Sequence, residues 1–130
     1  QRKVEIVREL AASPVVDGDE GQLHQVVLNL VTNALQAVDD GERIQVRLAD
    51  DDGAAVLEVR DSGPGVDPDD RGRVFEPFFT RRSGGTGLGL FVSYGIVERH
   101  GGRIAVDEAP EGGARFTVRL PQAREAAPGS

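Results

Sequence analysis

A chain of 130 residues, 38% of them hydrophobic, is long enough to bury one core and too short for two ordinary domains. Fifteen Lys and Arg against 22 Asp and Glu leave a formal net charge of −7, which argues against nucleic acid or a membrane surface as a direct partner and requires a local basic patch for any anionic ligand. The absence of cysteine excludes a disulfide framework, a thiolate metal site and a thiol nucleophile, and no apolar run approaches the roughly 20 residues that span a bilayer.

The N-terminus, Gln1-Arg-Lys-Val, carries no signal-peptide core. A start without Met, running at once into a strand-like stretch, is expected of a soluble piece of a longer protein. Val4 to Leu10 reads as a first strand and Pro14 to Gly18 as a turn. Asp19, with Gln22 three residues on, has the form of an N-cap with a capping box. It introduces a helix over Leu23 to Val38, in which Leu23, Val26, Val27, Leu30, Val31, Ala34, Leu35 and Val38 recur at three- and four-residue steps as one apolar face. Gln25, Asn29, Asn33 and Gln36 fall on a different, amide-rich face.

Asp39-Asp-Gly41 ends the helix. Ile44, Val46 and Leu48 then alternate with polar residues up to Asp50-Asp-Asp-Gly53, which predicts a hairpin. On its return strand Ala55, Leu57 and Val59 share a face, and the period of two puts Asp61 on that same apolar face at the strand's end. An inward carboxylate needs a partner. Gly63 to Gly85 keeps no period and reads as a long loop with a short helical turn near Asp67 to Arg71. Helical spacing resumes from Gly87 to His100 through Leu88, Phe91, Val92, Gly95, Ile96 and Val97, with Gly101-Gly102 as the stop. Ile104 and Val106, then Phe116, Val118 and Leu120, supply two closing strands around Glu111-Gly-Gly113.

The order β-α-β-β-loop-α-β-β predicts an α+β two-layer sandwich, a mixed and mostly antiparallel sheet of about five strands packed on about three helices. Residues 1–121 are expected to form the domain and 122–130 a disordered tail.

Four segments carry chemistry. Asn29 and Asn33, one helical turn apart, can aim amide oxygens at a hard cation such as Mg²⁺, or can be solvated or inter-helix amides. Asp61 can accept from an exocyclic amine while Gly63 and Gly65 let the backbone turn beneath a flat base, or can make an Asx-turn into Gly63-Pro-Gly65. Gly85, Gly87 and Gly89 run into a helix whose N–H groups can cradle phosphates, with Arg71, Arg73, Arg81 and Arg82 as local positive charge. This loop is not a Walker loop, because no Gly-Lys-Ser/Thr follows, and no strand immediately precedes it as in a Rossmann fingerprint. Phe75, Phe78 and Phe79, three of the five Phe, can pack in the core, pin the loop or form a docking surface.

Taken in order, these segments resemble the N, G1, F and G2 boxes of the catalytic ATP-binding domain of sensor histidine kinases, within the Bergerat-fold superfamily that also holds gyrase B, Hsp90 and MutL. The resemblance runs from about Val4 to Leu120. Asn-Leu-x-x-Asn-Ala-x-x-Ala and Phe-Phe-Thr are most similar to the nitrogen-regulation sensor kinases. The resemblance implies that Asn33 binds Mg²⁺, that Asn29 lines the phosphate region and shares in catalysis, and that Asp61 holds the adenine amine of ATP. Gly63, Gly65 and Val66 would shape the base pocket. Gln36, Thr80, Arg82, Gly85, Thr86, Gly87, Leu88, Gly89 and Leu90 would surround the nucleotide and its lid, and Phe75 would belong to the segment linking lid and helical domain.

Two positions depart from the family pattern: Gln36 stands where many members have Lys, and Thr80-Arg81-Arg82 where the subtype often has Thr-Thr-Lys. Arg82 is the candidate for the lysine's phosphate contact, and Arg is not equivalent to Lys at such a site. Members that resemble gyrase B and Hsp90 carry a Glu general base where this chain has Asn29, and an amide cannot take a proton from water at neutral pH. Transfer of the γ-phosphate is therefore expected over hydrolysis, to a histidine on a separate phosphoacceptor helical domain that this chain lacks, with a response regulator downstream. A non-catalytic nucleotide module and an anti-sigma-type serine kinase are the alternatives. The fragment is expected to be a cytoplasmic monomer. His24 and His100 lie outside any phosphoacceptor motif and read as surface or helix-end residues.

Overall fold

The computed structural model describes residues 5–10, 18–38, 42–77, 79, 88–110 and 112–122, with the backbone alone for residues 5–10. Five strands form one sheet in the order β1-β2-β3-β5-β4: β1 (Glu5–Leu10), β2 (Arg43–Asp51), β3 (Ala54–Asp61), β4 (Arg103–Glu108) and β5 (Ala114–Pro121). β1 pairs with β2 in parallel, and the other three pairings are antiparallel. The parallel pair follows from the intervening helix α1 (Glu20–Ala37), since parallel neighbours need a crossover whereas β2 and β3 need only a tight turn. That turn has Asp52 at φ 50° and Gly53 at φ 80°, the pair of positive φ values that match hairpin twist.

Cross-strand register builds the core face. Val46, Val59, Phe116 and Val106 align in one row across β2, β3, β5 and β4, and Leu48, Leu57, Val118 and Ile104 in the next. On these rows α1 lays Val26, Leu30, Ala34 and Val38, and the second helix, α2 (Gly89–Arg99), lays Ile96 and Val97. α1 packs on β3, α2 on β4, and the helices pack on each other. The opposite sheet face carries charge: Arg47 and Glu58 approach to 3.9 Å, and Arg115 forms a two-pronged pair with Asp107 at 2.9 and 2.6 Å.

Several local expectations change in the folded chain. Asp19 is the N-cap of α1, its Oδ1 accepting from the Gln22 N–H at 2.9 Å. The reciprocal half of the capping box is replaced, because the Asp19 N–H donates to His100 Nε2 at 3.1 Å. His100 is thus a fixed link between the start of α1 and the end of α2, beyond the surface or helix-end role read from the sequence. The α2 stop is a Schellman motif, with the Gly102 N–H donating to Val97 O and the Gly101 N–H to Glu98 O, both at 3.0 Å, and Gly101 at φ 76°.

The apolar faces also shift. Val27 of α1 and Phe91 and Val92 of α2 are exposed, while Ser93 is fully buried. Period alone marks which residues share a face, and here the small Gly89 and Ser93 occupy the contact with α1. Within the 63–85 loop the helical turn is a 3₁₀ turn at Pro68–Asp70, after which Val74 enters the core at 4% exposure. Gln122, which the sequence assigns to the tail, donates its N–H to Gly53 O at 3.0 Å, and residues 123–130 lie outside the described residues.

Candidate active site

The period-two alternation of β3 carries Asp61 onto the core face, opposite Ile44 and two residues beyond buried Val59. Only 2% of Asp61 is exposed. Its Oδ1 accepts from the Gly63 N–H at 2.9 Å and the Ala114 N–H at 3.4 Å, so the Asx-turn is formed and the start of β5 adds a second donor. Ser62 holds the strand end in place, its N–H donating to Arg43 O at 3.1 Å and its Oγ accepting from the Arg43 N–H at 2.8 Å.

Backbone closes tightly around this carboxylate. A Cβ on Gly113 would collide with Asp61 O, and a Cβ on Gly63 would collide with Ala37 O at the end of α1. Gly65, at φ 79°, lies against Gly112 and Gly113 of the β4–β5 turn. The turn that follows β3, the last turn of α1 and the β4–β5 turn therefore meet at Asp61, with Val66 packed against the core beside them. Side chains have no room there, which is what the glycines provide.

One turn before Ala37, Asn33 is half-buried on α1, and Gln36 is exposed. Asn29, a further turn back, is bonded at both ends of its amide: its Oδ1 accepts from Gln25 Nε2 at 2.7 Å, and its Nδ2 donates to Gly89 O and to Ser93 Oγ, each at 3.1 Å. The inter-helix reading of Asn29 thus holds in this structure, and it ties α1 to the first turn of α2. That first turn begins at Leu88, which supplies no side-chain cap. The N–H groups of a helix's first turn carry a partial positive charge that suits an anion. Leu90 packs against the core.

Phe75 also packs against the core, edge-on to Phe116 at 6.2 Å between ring centroids and tilted against Tyr94 of α2 at 5.7 Å. Arg73 stacks over the Phe79 ring at 5.2 Å. Among the arginines proposed as local positive charge, Arg73 therefore spends its guanidinium on pinning the phenylalanine segment. Thr80, Arg82, Gly85, Thr86, Gly87, Arg81 and Phe78 lie outside the described residues.

Three contributors have no signal in residue type alone: Ser93, the Ala114 N–H and the close approach of Gly113. Helical spacing puts Ser93 one turn after Gly89, but only the packing of α2 on α1 aims it at Asn29. Chemically, the corner offers an acceptor carboxylate at the end of an apolar strand face. The α1 stripe offers amide oxygens suited to a hard cation, and the described residues hold no cluster of three or more His, Cys, Asp or Glu that could bind a metal by itself. The residues fit a nucleotide that arrives with its cation.

Residues 18–124 match the family described as Histidine kinase-, DNA gyrase B-, and HSP90-like ATPase. Over 108 residues the chain is 43% identical to the Escherichia coli O157:H7 sensor histidine kinase ZraS, covering 83% of this chain and 24% of that protein. The solved mycobacterial sensor histidine kinase MprB superposes with a TM-score of 0.85 at 35% identity, covering 94% of this chain and 84% of that one. Full-length ShkA, solved in complex with AMPPNP, superposes at 0.81 with 33% identity over 95% of this chain and 27% of that one. The chain spans 18% to 24% of the length of the first curated relatives. None of the helices among the described residues is long and apolar enough to cross a membrane.

Proposed function

The chain belongs to the family of histidine kinase-, DNA gyrase B- and HSP90-like ATPases, and from that membership we propose that it binds Mg-ATP and donates the γ-phosphate to a histidine of a separate helical domain. The observation that carries the adenine reading is Asp61, a 2% exposed carboxylate whose Oδ1 is fixed by two backbone N–H groups. A carboxylate so held accepts from an exocyclic amine with little reorganisation, and it favours adenine over guanine, which lacks that amine at the same place.

Asn33 would hold the magnesium ion, which when bound neutralises charge on the transferring phosphoryl group. Asn29 replaces the Glu that serves as general base in the hydrolysing branches. Its nitrogen donates to α2 and its oxygen accepts from Gln25, so it orients rather than deprotonates. That supports transfer over hydrolysis: a ring nitrogen of the acceptor histidine bonds to the γ-phosphorus as the bond to the ADP oxygen breaks, and the ring loses its proton to solvent. The N-terminus of α2 would face the phosphates. Val27, Leu28, Phe91 and Val92, all exposed, offer apolar surface for the acceptor domain, and a response regulator would take the phosphoryl group onward. Asn29-Leu-Val-Thr-Asn33 and Phe78-Phe79-Thr80 support the finer placement beside nitrogen-regulation sensors.

The test mixes this chain with ATP labelled at the γ-phosphate and a dimeric helical hairpin bearing the acceptor histidine. Acid-labile label on the hairpin is expected. Acid-stable label, or intact ATP binding with no transfer to several such hairpins, would overturn the assignment.

A further inference from the structure

Ser93 is 0% exposed, a hydroxyl buried in the middle of α2. Buried polar groups need partners, and this one meets Asn29 Nδ2 at 3.1 Å across the helix interface. The second acceptor on the same nitrogen, Gly89 O, also at 3.1 Å, can only accept. The pair therefore fixes which end of the Asn29 amide faces α2. Its oxygen must turn the other way, to the exposed Gln25, whose Nε2 donates at 2.7 Å. An amide oxygen has two lone pairs, so the bond from Gln25 leaves acceptor capacity on the Asn29 oxygen, on the amide-bearing stripe of α1.

Close approach of the helices makes this possible. A Cβ at Gly89 would already lie 3.8 Å from Asn29 Cγ, so the first turn of α2 rests on the Asn29 side chain.

We infer that Ser93 is a positioning residue of the nucleotide site, acting through Asn29: it holds the side-chain amide with its nitrogen on α2 and its oxygen toward the phosphate side. This rests on the Mg-ATP reading above. Without the hydroxyl, Asn29 Nδ2 keeps one acceptor instead of two, and the amide is freer to turn its nitrogen toward the position a cation would take.

Mg-ATP and metal-free ATP binding are measured by calorimetry on the 130-residue chain, on Ser93→Ala and Ser93→Cys, on Asn29→Ala, and on the Ser93→Ala/Asn29→Ala double variant. Cysteine keeps the volume while removing the strong acceptor, so it separates hydrogen-bond loss from a packing defect. Both Ser93 variants are expected to weaken Mg-ATP about fivefold and metal-free ATP less than about twofold, and Ser93→Ala is expected to add nothing in the Asn29→Ala background. In nucleotide-free protein the Asn29 side-chain amide NMR signals should shift and exchange faster in both variants. Unchanged Mg-ATP binding in the Ser93 variants, or a loss that persists without Asn29, would overturn the inference while leaving the nucleotide site standing. Failure of the parent chain to bind Mg-ATP would overturn both.

Discussion

At the scale of single residues, Asp61 shows how an energetically costly placement is satisfied by backbone, and the proposed adenine contact rests on it. Burying a carboxylate is unfavourable unless hydrogen bonds replace water, and here the Gly63 and Ala114 N–H groups do so at 2.9 and 3.4 Å. In Asp61→Asn the amide oxygen can keep those two bonds, but its NH₂ then presents a donor to a ligand that also donates. ATP affinity is expected to fall about tenfold or more, with an unchanged far-UV circular dichroism spectrum. Wild-type affinity in a folded Asp61→Asn protein would remove Asp61 from the adenine site. Asp61 itself was legible from strand alternation, because Ala55, Leu57 and Val59 set the phase. Its second donor was not, since Ala114 lies 53 residues away and reaches it only through the β3–β5 pairing.

At the scale of elements, α2 runs antiparallel to the first half of α1, its C-terminal end held by His100 with Asp19 and its N-terminal part by Gly89 and Ser93 with Asn29 in the middle of α1. His100 Nδ1 lies 2.7 Å from Ile96 O while Nε2 accepts from the Asp19 N–H, which is the bonding of one neutral tautomer. In the sheet, β4 and β5 are joined on the charged face by Arg115 and Asp107. The hydrogen bond from Arg115 holds the Asp107 carboxyl below its ordinary range, against an opposing effect of burial. A depressed carboxyl pKa means that the pair's contribution is present above the unfolded pKa near 4 and is lost as pH falls through the lower folded value. Because both side chains are about a third or more exposed, that contribution is of order 0.5 kcal/mol. Chemical denaturation of Asp107→Asn should show this deficit at pH 7 and converge with the parent as pH falls through the lowered folded pKa of Asp107. A constant deficit across that range would place the effect in packing instead.

At the scale of the whole molecule, one sheet face is filled by the helices, and α1 links the candidate site residues, meeting the start of α2 at Asn29 and the turn after β3 at Ala37. A ligand that bridges these elements binds the folded state alone, so it should stabilise the whole domain by mass action. Mg-ATP at about a hundred times its Kd is expected to add ~2.7 kcal/mol to unfolding free energy, read as a raised thermal midpoint, with GTP having little effect at equal concentration. An equal rise with GTP would argue for phosphate binding without base recognition.

The sequence by itself determined the elements and the chemical inventory. Its period of two set the phase of β2 to β5, its period near 3.6 set both helices, Asp19 and Gly101 marked helix ends, and the four boxes carried the family. These signals are local, each written within one or two turns or strands, and local pattern is what a chain displays before it folds. Tertiary structure alone decided which apolar residues were covered, so Val27, Phe91 and Val92 stay exposed while Ser93 and Val74 are buried. It also chose His100 over Gln22 as partner of the Asp19 N–H, turned Arg73 onto Phe79, and locked the Asn29 amide between helices. Each of these depends on a neighbour distant in sequence, and the position of such a neighbour exists only once the sheet has brought its strands together.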